Sequence, residues 1–204
     1  MPVRRFLPSE LLERFQSIRA MATDAEFFHK PRYQKAQEMW CAAHFARGYE
    51  LKFPNCAVHL SDIDEQTDVD FEFETDGHRH PFQITEVQAE GRRRGSEYKG
   101  REPGQWEDED WSKGSELGAI WIRDGISKKA VRYADSSALN LLVYLNFPAG
   151  EQQYQSIRHV ACQPAIAFKS VWLLNGNALC CIQPHRDLRS WENWLLIAES
   201  PAAE

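Results

Sequence analysis

The sequence predicts an α/β fold, a central mixed β-sheet flanked by helices, on three observations. Residues 67–75 (TDVDFEFET) alternate apolar and acidic side chains with period two, the pattern of a half-buried strand. Residues 138–147 (ALNLLVYLNF) form a continuous apolar run, as in a strand covered on both faces. Helical periodicities stand between and around these strands, so the two element types interleave. The predicted core order is helix, three strands, helix, strand, with a C-terminal hairpin and helix added.

Taken in order, Ser9–Ala22 carries Leu11, Leu12, Phe15 and Ile18 at helical spacing, with Ser9 as its cap after Pro8. A second helix is expected from Pro31 to Gly48, with its apolar stripe at Ala36, Met39, Trp40, Ala43 and Ala46. A short strand follows at 56–61, and residues 67–88 read as a β-hairpin about Asp76-Gly77. Residues 89–114 lack periodicity and read as a long loop, the kind usually kept for function. A helix is expected over 115–134, with Gly125 a weak point inside it, and a strand over 139–146. Then come a helix from Glu151 to Cys162, a hairpin over 170–182 about Asn175-Gly176, and a last helix over 187–198. No repeat or linker interrupts the chain, so one domain over residues 1–204 is the simplest organisation.

Composition narrows the class. With 204 residues, 43% hydrophobic and 26% charged, the chain can build a core without disulfides or a structural metal. The net charge of −6 is localised: residues 51–89 hold two basic side chains against nine acidic ones. That balance excludes a histone-like polyanion binder. No apolar run reaches the roughly 18 residues of a membrane span, so no membrane is expected among its partners. Five cysteines without a CxxC pair argue for a reducing, cytoplasmic setting. The glycines match neither a Walker loop nor a dinucleotide fingerprint, and no Ser/His/Asp nucleophile signature is present.

The chemistry concentrates at Asp68, Asp70, Glu86 and Gln88. Glu86 breaks a run of uncharged residues near the end of its strand, and a buried carboxylate must be paired or bound to a cation. Carboxylates on neighbouring strands repel unless a cation lies between them, and oxygen ligands select Mg²⁺ or Mn²⁺. A two-residue turn would pair residues summing to 153 and put Glu86 on the face away from Asp70. A three-residue loop over 76–78 gives pairs summing to 154, sets Asp68 opposite Glu86 with Asp70 diagonal to it, and is the expected register.

At these residues the chain resembles the PD-(D/E)XK nuclease superfamily, with its restriction-endonuclease-like core over residues 31–147 and the segments 9–22 and 151–204 as additions. The resemblance implies a metal-dependent nuclease acting on nucleic acid, with DNA favoured. Asp70 and Glu86 would hold Mg²⁺ (or Mn²⁺) with Asp68 as a further ligand, and Gln88 would stand where the family has lysine and orient the attacking water. In some members the lysine comes from the next helix, where Lys128 or Lys129 could serve. Lys128 is the candidate, because it borders the Leu117, Ile120, Val131 face expected to pack on the sheet. Glu38 corresponds to a supporting glutamate on the first core helix, although it lies far round the helix from the apolar stripe. Arg92, Arg93, Arg94, Lys99 and Arg101 form a basic loop after the metal strand that could grip a phosphate backbone. Two other readings stand beside this one: a binding module for nucleic acid or protein that keeps the fold without catalysis, and a solvated acidic sheet face. A homodimer is allowed for.

Overall fold

A computed structural model describes residues 3–61, 69–90, 108–133, 136–148 and 153–197. The chain runs β1 (Val3–Phe6), α1 (Pro8–Arg19), α2 (Asp24–His29), a 3-10 turn (Pro31–Tyr33), α3 (Gln34–Glu50), β2 (Cys56–Ser61), β3 (Phe71–Thr75) and β4 (His78–Gln88). It continues through α4 (Asp108–Arg132), a 3-10 turn (Ser136–Ala138), β5 (Asn140–Asn146), α5 (Tyr154–Ala165), β6 (Val171–Asn175), β7 (Ala178–Gln183) and β8 (Leu195–Leu196). The strands form one eight-stranded mixed sheet whose spatial order follows the sequence. β4, β5 and β6 run parallel, joined through α4 and α5, and the other neighbours are antiparallel.

The sheet separates two cores. On one face Phe45 and Tyr49 of α3 pack against Phe71, Phe73, Phe82 and Trp172. On the other, Ile122 and Ile126 of α4 and Ile157 and Ala161 of α5 cover Leu141, Val143 and Leu173. The expected α/β class is thus observed at this level, a mixed sheet flanked by helices. The restriction-endonuclease-like arrangement is not established by it.

Several elements differ from expectation. β1 pairs with β2 and was too short to read from its VRRF sequence. α2 carried a legible signal, because Thr23 and Glu26 form a capping box, the Glu26 N–H donating to Thr23 Oγ1. α4 starts at Asp108, inside the expected loop. Gly125 is a contact point rather than a weakness: a Cβ there would lie 2.6 Å from Cγ2 of Val87, so glycine lets α4 lie close on β4. No helix forms over 187–196. Asn193 takes a left-handed φ of 66°, Trp191 packs on Trp172, Tyr49 and Phe53, and Leu195–Leu196 pairs with β7.

The hairpin register is also corrected. Asp76 and Gly77 both have positive φ, 52° and 76°, which closes a two-residue turn. The pairs Phe71↔Phe82 and Thr75↔His78 therefore sum to 153, not 154. His80, two residues past this turn in β4, is 4% exposed. No helix among the described residues is long and apolar enough to cross a membrane.

Candidate functional site

By strand alternation alone the register would separate Asp70 from Glu86. The ladder slips by one residue just before β3, and this brings them to one cavity. Phe71 pairs with Phe82, yet the N–H of Asp70 also donates to the Phe82 carbonyl at 2.9 Å. The Asp70 carboxylate then accepts the Ile84 N–H at 2.7 Å, in the place a backbone carbonyl of the partner strand would hold. Asp70 so closes the described β3–β4 ladder with its side chain.

A cavity of about 620 Å³ opens beside Asp70. Its walls are aromatic: Phe15, Phe27 and Phe28 from α1 and α2, Trp40 from α3, Tyr144 from β5 and Tyr133 just past α4. Trp40 meets Tyr144 edge to face, with ring centroids 5.2 Å apart. The polar floor is Asp70, Gln83, Glu38, Glu86 and Lys129. Glu86 accepts from the Asn146 amide at 2.7 Å, and Glu38 pairs with Lys35 at 3.0 Å.

Gln83, 3% exposed, organises that floor. Its Oε1 accepts from Lys129 Nζ at 2.9 Å and from the Tyr133 hydroxyl at 2.8 Å, while its amide hydrogen-bonds the Asp70 carboxyl. Acid and amine are thereby tied to one amide. Burial pushes the Asp70 carboxyl above its ordinary value, against the lowering effects of the Ile84 N–H and the Lys129 charge. Burial raises Glu38 as well, and the Asp70 charge adds to it. Burial lowers Lys129, with Arg132 acting in the same sense and Asp70 and Glu38 opposing. Carboxyls held up and an amine held down thus face one cavity.

The sequence-derived residues fall unevenly on this geometry. Asp70, Glu86 and Glu38 line the cavity. Glu38, with a side chain 15% exposed, does so because α3 is buried almost all round and its apolar stripe does not define a single inward face. Gln88 and Lys128 line instead a neighbouring cavity of about 510 Å³, which shares Glu86, Lys129 and Arg132 with the first. The choice of Lys128 over Lys129 rested on the wrong helix face: Val131 is 89% exposed and Ile120 39%. Ile122 and Ile126 are the residues on the sheet, and Lys129 continues their stripe. Gln83 and Tyr133 carried no sequence signal, since both gain their roles through the pairing of distant segments. Asp68, Arg92, Arg93, Arg94, Lys99 and Arg101 lie outside the described residues. Among the described residues no three His, Cys, Asp or Glu side chains group to hold a metal ion.

No protein-family model and no curated protein matches the chain. A solved structure, of a Pseudomonas aeruginosa protein of unknown function described as belonging to the monooxygenase superfamily, aligns over 94% of this chain and 96% of that one. The TM-score is 0.47 and the identity 14%. A likeness of that size carries no activity to this chain. Nothing in the comparisons supports nuclease activity or nucleic-acid binding. The PD-(D/E)XK resemblance, with the nuclease and binding-module readings that followed from it, is corrected accordingly. It rested on a short degenerate motif, Asp70 with Glu86-Val87-Gln88, in which the lysine is missing.

Proposed function

We propose that the chain is an enzyme acting on a small molecule with a flat apolar body, and that residues 1–204 work as one domain around its cavity. The observation that carries this is the enclosure of Asp70, Glu38 and Lys129 within a cavity of about 620 Å³ whose walls are aromatic. Cavities of roughly 300–1,000 Å³ with apolar walls and a few convergent polar groups are the usual form of small-molecule sites. The aromatic rings would take the apolar body of the ligand. Asp70 or Glu38 would give a proton, Lys129 would accept one, and Gln83 would keep the two functions apart. Sheet continuity from β1 to β8 supports the one-domain reading.

A ligand-observed NMR screen of aromatic fragments tests the proposal. Fragments such as benzyl alcohol and indole should bind the parent protein, and Trp40→Ala should weaken them about tenfold or more. Binding that is absent, or indifferent to Trp40→Ala, would refute the site.

A further inference from the structure

Lys129 is placed as an amine nucleophile rather than as half of an ion pair. Its Nζ lies at the cavity floor on Gln83 Oε1 at 2.9 Å and 3.5 Å from the Tyr133 hydroxyl. Among the described residues no carboxylate comes within ion-pair distance of it. The one strong contact, with Gln83 Oε1, is neutral, and an amine can keep that bond without being charged, because an N–H remains to donate. Arg132 lines the same cavity and adds a like charge, and burial moves the titration of Lys129 downward. A neutral lysine amine is the form that attacks carbonyl carbon.

We propose that Lys129 condenses with the carbonyl group of an aldehyde or ketone held in the aromatic cavity, giving an imine. The inference rests on the small-molecule reading above and names its substrate class. The Nζ lone pair forms a bond to the carbonyl carbon while the π pair moves to oxygen, which takes up a proton. The resulting carbinolamine loses an N–H proton, its hydroxyl is protonated and leaves as water, and the C=N bond forms. No oxidant or reductant takes part, and hydrolysis reverses the step. The proton that departs with water is one that a carboxyl held above its ordinary value can supply, and Asp70 and Glu38 are the two such carboxyls on the floor. The Tyr133 hydroxyl donates to the same amide oxygen, Gln83 Oε1, at 2.8 Å. The walls of Trp40, Tyr144 and Phe28 favour an aryl-substituted carbonyl compound.

Borohydride trapping decides it. The full chain is incubated with a small excess of benzaldehyde, reduced with sodium borohydride, and read by intact mass and peptide mapping, with benzyl alcohol binding measured in parallel by ligand-observed NMR. The expected result is one benzyl group per chain, mapped to Lys129 and at least tenfold above any other lysine. Lys129→Arg, which carries no nucleophilic amine, should lose the adduct in a protein that circular dichroism shows to be folded. Lys128→Arg, on the neighbouring exposed position, should leave the adduct in place. Adducts spread over exposed lysines, or an unmodified Lys129 in a protein that binds benzyl alcohol, would overturn the imine and leave the small-molecule site standing. Failure of benzyl alcohol to bind, with Lys129 unmodified, would remove both.

Discussion

Gln83 is the side chain on which the cavity floor turns, since one amide serves Lys129, Tyr133 and Asp70 together. Gln83→Leu keeps the volume roughly and removes all three partners. Leaving buried donors unsatisfied costs on the order of 1–3 kcal/mol, so chemical denaturation should show a loss of that size. A change within about 0.5 kcal/mol, the range of an uninvolved surface site, would contradict the network. Asp70 gives a prediction with a pH sign. Its folded-state pKa is raised by burial, so the ionised form is disfavoured by folding. Stability is therefore greatest where the carboxyl is protonated and falls as pH rises through its folded value. Asp70→Asn keeps an acceptor for the Ile84 N–H and removes the charge. The variant should unfold at higher denaturant concentration than the parent at pH 7, with the gap closing toward pH 4. A gap that widens on acidification would reverse the assignment.

At the scale of elements, α4 on β4 is the contact that places Lys129. Gly125→Ala would improve helix propensity by about 1 kcal/mol, but its Cβ would meet Val87 Cγ2 at 2.6 Å. Overpacking of that kind costs about 1–3 kcal/mol. Calorimetry should show a lower melting temperature, recovered in part by Val87→Ala in the same chain, and a stabilised single variant would mean that the helix stands further off. This contact also explains what the sequence could and could not say. The strands over 71–75, 78–88 and 140–146 were legible because alternation and a continuous apolar run are local patterns. Helix phase was not: Leu117, Ile120 and Val131 form as good an apolar stripe as Ile122 and Ile126, and only packing distinguishes them. Asp70 and Glu86 could be singled out as expensive carboxylates. The route that joins them, a one-residue slip capped by a side chain, leaves no mark in composition or period.

Across the whole molecule, the sheet divides two unlike jobs. The aromatic cluster of Phe45, Tyr49, Phe73, Phe82 and Trp172 anchors α3. Phe45→Ala should cost about 3–5 kcal/mol as a large core cavity, read by denaturant unfolding, and a loss below 1 kcal/mol would mean that the core collapses to fill it. Around Asp70 stand the groups whose proton affinities are displaced. The account stands on those groups titrating inside a ligand cavity. The most direct measurement is a pH titration of the Asp70 carboxyl carbon and the Lys129 Cε carbon by ¹³C NMR, with and without benzyl alcohol. The account predicts an Asp70 midpoint above its ordinary 3.8 and a Lys129 midpoint below 10.5, both moved by the ligand. Ordinary midpoints that the ligand leaves unchanged would contradict it.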